Sequence, residues 1–209
     1  SLQLGTKKYR SKLRGIRPNW SNKNKSIAGK ALDYLDESRS YIFLIIGLFV
    51  LSGLIGFFFS NSFTFLNDMI KNLIKKVADL NGFALIAFIF WNNVKTAFFG
   101  IILGIILGIF PVVNAIINGV VLGYVLKKSY ASSGINEFWR VLPHGIFELP
   151  AIFISLGLGL KIGMFLFSKN KSRELKARLT NSLILFVLII IPLLIIAAII
   201  EGLLISFYK

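Results

Sequence analysis

Long apolar runs alternate with short polar stretches along most of this chain, and the runs approach the length of a membrane span. A helix needs about 20 consecutive apolar residues to cross the hydrocarbon core of a bilayer. The pattern predicts five transmembrane helices, over residues 41–59, 92–110, 112–126, 147–167 and 183–207. The predicted fold class is therefore all-α, a polytopic membrane helical bundle.

Two other parts of the pattern are polar on at least one side. Residues 1–40 are predicted to form a basic arm and a juxtamembrane helix that lies on the membrane surface, ahead of a transmembrane domain over 41–209. Residues 63–80 place apolar side chains at helical spacing and fill the other face with charges and amides. A strongly amphipathic helix of this kind is predicted to lie in the interface plane.

The polar run that begins at Trp91 leaves the second span open to two interpretations. Either one long span begins near Asn92, or a short half-inserted segment over 83–90 precedes it. We favour the half-inserted segment. Pro111 is predicted to mark a tight reversal between the second and third spans, because the residue before a proline avoids the helical region. Pro192 is predicted to kink the fifth span.

The charge distribution predicts the orientation of the chain. The net charge is +15, and the basic residues concentrate in the N-terminal arm and in the 168–182 loop. Cytoplasmic loops carry an excess of Lys and Arg, so we expect a plasma-membrane protein with its N-terminus cytoplasmic and its C-terminus outside. The basic arm should bind anionic lipid head groups. A nucleic-acid partner is not expected, because almost all of the charges lie outside the apolar segments.

Glycines recur four residues apart within three successive predicted spans. Such spacing puts them on one helix face and lets two backbones approach closely. We predict that the second to fourth spans form a tightly packed centre, with one glycine face available for a homodimer. The packing glycines are Gly100, Gly104, Gly108, Gly119, Gly123, Gly159 and Gly163.

Polar residues inside spans are costly and need a partner. The predicted topology puts six of them in the outer half of the membrane, where we expect one polar cluster in which Lys95 or His144 neutralises Glu148. Lys161 can reach the inner surface by snorkelling. Asn118 lies in mid-span, where its amide should bond to another helix. The six outer residues are Asn92, Asn93, Lys95, His144, Glu148 and Glu201.

Catalytic chemistry finds little support in the residues. The chain has no cysteine and a single histidine. A catalytic zinc normally takes three protein ligands, so a metal-dependent intramembrane hydrolase built on His144 and Glu148 would need further carboxylates buried in lipid. We therefore expect no metal, no cofactor and no enzyme activity. A transporter or channel that uses broken helices near Asn92 and Pro111 is an alternative to a structural polar clamp.

The run from Pro143 to Ile152 resembles the H-G-x-x-E-L-x-A-I signature of the stage II sporulation protein M family. The family's other motifs occur upstream of this run in the same order: the Asn92-Asn93 pair, the glycine run and Asn118-Gly119. The resemblance covers about residues 41–207. It implies a multi-span membrane protein without established catalytic residues. The positions that match the family motifs are Asn92, Asn93, Asn118, Gly119, His144, Gly145 and Glu148.

The resemblance also bears on function. In endospore-forming bacteria the namesake of the family works in a membrane complex with peptidoglycan-degrading enzymes. The resemblance therefore implies a non-enzymatic membrane scaffold or assembly protein that holds or recruits partners. The protein partners themselves are not identified by the sequence, and the transporter or channel stays open as the alternative.

Overall fold

The structure, a computed structural model, describes residues 26–78, 80, 82–134 and 138–207. Within these ranges all the regular elements are helical. The basic run predicted as an arm lies almost wholly outside the described residues. The α-helices are α1 Ile27–Phe58, α2 Leu66–Ala78, α3 Gly82–Ile102, α4 Ile109–Ser133, α5 Phe138–Gly163, α6 Lys171–Leu185 and α7 Ile191–Phe207.

Five helical stretches among the described residues are long and apolar enough to cross a membrane. The second includes the 3-10 turn Leu103–Ile105 after α3, the fourth includes the turn Met164–Phe167 after α5, and the fifth joins α6 to α7. The predicted membrane helical bundle is confirmed. The five stretches are Ile27–Phe58, Gly82–Ile105, Ile109–Ser132, Gly145–Phe167 and Lys171–Glu201.

The first span is longer than predicted because the juxtamembrane helix is continuous with it. The Ser26 hydroxyl accepts a hydrogen bond from the Gly29 backbone N–H at 3.1 Å and caps the start of α1. From there α1 runs without a break to Phe58. Tyr34 and Ser38, in the part predicted to lie on the surface, are buried against the rest of the bundle. The interpretation of this segment as a separate surface helix is wrong.

The second span also differs from the prediction. Residues 83–90 are the first turns of α3, which is one helix from Gly82 to Ile102. They do not form a separate segment. The polar residues after Trp91 do not interrupt the helix, because the Thr96 hydroxyl donates to the Asn92 carbonyl at 2.9 Å within the same helix and Asn93 is buried in the bundle.

The reversal between the second and third spans lies before Pro111. Leu107 and Gly108 adopt positive φ angles of 54° and 70°, and the Gly108 N–H donates to the Gly104 carbonyl at 2.8 Å. Glycine enters this left-handed region at low cost, so it turns the chain here. Pro111 instead occupies the first turn of α4, where its missing N–H leaves no hydrogen bond broken.

The fifth span contains a π-helical turn, Phe186–Ile190, between α6 and α7. Pro192 follows this turn, and a proline cannot donate to the carbonyl four residues before it. A π-turn next to such a position is a common way for a helix to absorb the lost bond. The irregularity predicted from Pro192 therefore lies in the turn just ahead of it.

Helix α5 is the centre of the bundle. In the most apolar 18-residue stretch of its span, 67% of the residues are buried. The corresponding share in the other four spans is 17–28%. It contacts α1, α3, α4, α6 and α7, while α1 packs chiefly on α4. Helix α2 packs on the bundle through Leu66, which is buried, and the Tyr124 hydroxyl of α4 donates to the Asn67 side-chain oxygen at 2.6 Å.

Candidate functional site

Three of the predicted outer polar residues come together in the structure. The Asn93 side chain of α3 lies beside the Glu148 carboxyl of α5. Glu201 of α7 lies close enough to Glu148 for their carboxyl groups to interact electrostatically. We call Asn93, Glu148 and Glu201 the outer cluster. It joins three helices through side chains that the sequence separates by more than 50 residues.

Other predicted members do not join it in the same way. Lys95 and Asn92 are exposed. Lys95 follows Asn93 by two residues, which is about 200° around a helix, so the two side chains point in nearly opposite directions. The expected Lys95–Glu148 neutralisation is absent among the described contacts, where the polar neighbours of Glu148 are Asn93 and Glu201. The side chain of His144 lies outside the described part of the chain.

Asn118 does not bond across to another helix. Its side-chain amide donates to the Asn114 carbonyl at 2.9 Å and to the Asn114 side-chain oxygen at 3.0 Å, one turn earlier in the same helix. The Asn118 side chain is exposed. The prediction of an interhelical bond within the chain is wrong, because α4 turns its glycine face, and not its amide face, towards α1.

The seven packing glycines all lie at close helix contacts. A Cβ at Gly104 would collide with the Gly159 carbonyl, and one at Gly123 with the Gly53 carbonyl of α1. Gly100, Gly104 and Gly108, in α3 and the turn after it, pack against α5, which contains Gly159 and Gly163. Gly119 and Gly123 face α1 and not the second or fourth span. These glycine contacts lie within one chain, so a homodimer would need a different surface.

A second polar cluster, which the sequence did not predict, lies at the other end of α5. Lys161 is 8% exposed, and its ammonium donates to the Ser38 hydroxyl at 3.0 Å. It also lies 3.4 Å from the Glu37 carboxylate and 3.7 Å from the centre of the Tyr34 ring. Lys161 therefore does not snorkel to the surface. Its charge is held between α5 and the first turns of α1.

Arg178 of α6 completes this inner cluster, which comprises Tyr34, Glu37, Ser38, Lys161, Ser168, Glu174, Arg178 and Ser182. The Arg178 guanidinium donates to the Lys161 carbonyl at 2.6 Å, to the Glu174 carboxylate at 3.1 Å and to the Ser168 hydroxyl at 3.4 Å.

Hydroxyl groups close the side of the inner cluster that faces α6. The Tyr34 hydroxyl donates to the Arg178 carbonyl at 3.4 Å. The Ser182 hydroxyl is near that of Tyr34 but lacks hydrogen-bond geometry to it. A charge inside a predicted span is the sequence signal that could have led to this cluster, since such a group needs a partner.

The described residues of the two clusters do not form a metal site, and the side chain of His144 lies outside them. Among the residues that the structure describes, no three histidine, cysteine or acidic side chains lie close enough to hold a metal ion. The inner cluster is a hydrogen-bonded network that ties α1, α5 and α6 together. The outer cluster presents two carboxyl groups and one amide, which suits a polar clamp between α3, α5 and α7.

Comparison with known protein families gives a match. The model of a family described as Stage II sporulation protein M matches residues 44–204. This stretch contains both clusters apart from Tyr34, Glu37 and Ser38, and all seven packing glycines. No curated protein and no solved structure matches the chain at a significant level.

Proposed function

Because this chain belongs to the stage II sporulation protein M family, we propose that it is a non-enzymatic membrane scaffold or assembly protein that holds or recruits other proteins. It is a multi-pass helical membrane protein. The further assignment to the plasma membrane, with a cytoplasmic N-terminus, is part of the proposal. The observation that carries the scaffold proposal is the apolar layer between the two polar clusters.

That layer fills the middle of the bundle. Glu148 and Lys161 are 13 residues apart on α5, so about 20 Å of helix separates the two clusters. In between, Ser155 is the polar side chain of α5, and its hydroxyl is buried and donates to the Ala97 carbonyl. The aliphatic side chains around it are almost fully buried: Ile101, Ala151, Leu156, Leu158, Ile190 and Leu194.

A closed apolar layer favours a scaffold over a transporter. Transporters bind substrate near the midplane, where broken helices expose backbone groups. Here the described residues offer no polar path from the outer to the inner cluster, and α3 and α5 are unbroken through the layer. The π-helical turn of the fifth span contributes the buried aliphatic side chain of Ile190 to this layer. The buried polar groups serve helix packing, so the surface of the bundle remains available for partners.

The ends of the bundle support the proposed orientation. The inner cluster joins the start of α1 to the end of α5 and to α6, so these segments lie on one side. The basic arm precedes α1 in sequence, and Lys169, Lys171, Arg173 and Lys176 surround the start of α6. By the positive-inside rule this side is cytoplasmic. We propose that the basic arm, which precedes α1 in sequence, binds anionic lipid head groups on this side.

Two measurements on the full chain separate the candidate functions. Chemical crosslinking in native membranes, followed by affinity purification, should enrich specific membrane proteins over an unrelated five-span protein expressed at the same level. In proteoliposomes with a K⁺ gradient and a pH-sensitive dye inside, the protein should give no more proton or cation flux than empty liposomes. Flux that Glu148→Gln abolishes would establish a transporter. Failure to enrich any protein over the control would exclude recruitment.

A further inference from the structure

One face of α4 carries a pair of amides that the chain itself does not cover. Asn118 is exposed and Asn114 is half-buried, and the two are one turn apart on the same side of the helix. Asn118 lies nine residues from the start of α4, about 13 Å along its axis. That depth is close to the middle of a hydrocarbon core about 30 Å thick.

The hydrogen bonds inside this pair leave groups without partners. The Asn118 amide nitrogen donates to both oxygens of Asn114. The Asn118 side-chain oxygen and the Asn114 side-chain nitrogen then have no partner among the described residues. An asparagine amide offers both donors and an acceptor. In hydrocarbon, such groups find partners on a neighbouring helix.

We propose that this amide face binds a second copy of the chain, with the two α4 helices crossing at Asn114 and Asn118. Copies in one membrane share the same orientation, so a twofold axis along the membrane normal brings each residue opposite its own equivalent at equal depth. The donors and acceptors of an amide pair then satisfy each other. A pair of carboxylates or lysines in this place would repel its copy.

The rest of α4 is compatible with this contact. Its glycine face is filled by α1, where Gly119 lies against Phe49 and Ser52. The side chains one and two turns beyond the amides on the same side, Val121 and Val125, are aliphatic and half-buried. The proposed dimer therefore uses amides and aliphatic residues, and not the glycine stripe. This inference is independent of the scaffold proposal, because it concerns contact between copies only.

Thiol crosslinking tests the contact directly, since the natural chain has no cysteine. Val121→Cys places a thiol on the amide face, seven residues after Asn114. Ile116→Cys is the matched control on the same helix, because it is about 160° around the helix from Asn118 and is also exposed. Full chains with two different tags are coexpressed and oxidised with copper phenanthroline in native membranes.

We expect Val121→Cys to give a product that contains both tags, about tenfold more than Ile116→Cys. Interhelical amide bonds in membranes each change association by about threefold to tenfold. Adding Asn118→Leu to Val121→Cys should therefore reduce the product by about that factor, whereas Asn118→Gln, which keeps the amide, should retain most of it. An unchanged thermal melting curve in detergent checks that Asn118→Leu folds.

Three results would overturn the proposal. One is equal crosslinking of Val121→Cys and Ile116→Cys, and another is a yield that Asn118→Leu does not change. The third is a Val121→Cys product that contains one tagged copy and a different protein, which would assign the amide face to that partner. None of these results would bear on whether the chain recruits proteins elsewhere.

Discussion

The Lys161 ammonium of α5 lies 3.7 Å from the centre of the Tyr34 ring of α1, although the two residues are 127 positions apart. The Tyr34 hydroxyl in turn reaches α6, where it donates to the Arg178 carbonyl. The ring of Tyr34 thus contacts a buried charge, and its hydroxyl forms a hydrogen bond with a third helix. The two roles can be separated by substitution.

Tyr34→Leu should destabilise the fold more than Tyr34→Phe. A cation over an aromatic ring is stabilised by about 2 kcal/mol when it is desolvated, whereas a single long hydrogen bond contributes about 0.5 kcal/mol. Tyr34→Phe keeps the ring and loses the hydroxyl, and Tyr34→Leu loses both. The free energy of unfolding, from denaturant titration in detergent micelles, should fall by about 2 kcal/mol more for leucine. Equal losses would show that the ring does not support Lys161.

Arg178→Lys should also be destabilising, by about 2 kcal/mol, because a lysine cannot contact all three acceptors that the guanidinium fork reaches. The matched control is Arg173→Lys, since Arg173 is exposed on the same helix. Surface substitutions of this kind stay within about 0.5 kcal/mol. The same unfolding titration compares the two variants, and similar values for both would argue against a structural role for Arg178.

The close contact of Gly159 with Gly100 predicts that a single added methyl group is costly. In Gly159→Ala the new Cβ would meet the Gly100 carbonyl and Pro111, which are backbone and ring atoms that cannot move aside. Overpacking of this kind costs about 1–3 kcal/mol. Gly47→Ala is the control, because no atom lies within 4 Å of its Cβ position. There alanine should stabilise α1 by about 0.5–1 kcal/mol, and a loss at Gly47 equal to that at Gly159 would contradict the packing argument.

The Tyr124–Asn67 hydrogen bond predicts how firmly α2 is held on the bundle. Tyr124→Phe should raise amide hydrogen exchange in residues 66–72 about fivefold, which corresponds to the loss of about 1 kcal/mol for one hydrogen bond. Asn67→Ala should have a similar effect. The double variant should exchange no faster than either single variant, since both remove the same bond. Additive effects would mean that the two residues act separately.

The outer cluster predicts unequal effects at two neighbouring positions. Asn93→Ala removes the amide that lies beside the Glu148 carboxyl and should lower the free energy of unfolding by about 1 kcal/mol. Lys95→Ala, on the opposite side of α3, should change it by less than about 0.5 kcal/mol. Denaturant titration of both variants measures the difference. A larger loss for Lys95→Ala would instead support the Lys95–Glu148 ion pair that the sequence predicted.

The sequence by itself determined the fold class and most of the packing positions. Apolar length predicts spans because every backbone polar group in a membrane must be satisfied within a helix. Glycines four residues apart predict close contacts because their spacing alone puts them on one face. Counting spans alone put six polar residues in one outer group, of which the structure brings Asn93, Glu148 and Glu201 together. These inferences rest on the spacing of residues along the chain, which can be read directly from the sequence.

Only the tertiary structure decided which faces meet. Glycine spacing does not say whether Gly119 faces α5 or α1, and a lysine in a span does not say whether it reaches water or Tyr34. The turn at Gly108, the continuous α3 and the outward-facing Asn118 follow from how five helices fit together around α5. Partner choice depends on contacts between residues far apart in the chain, whose relative rotation no local pattern specifies.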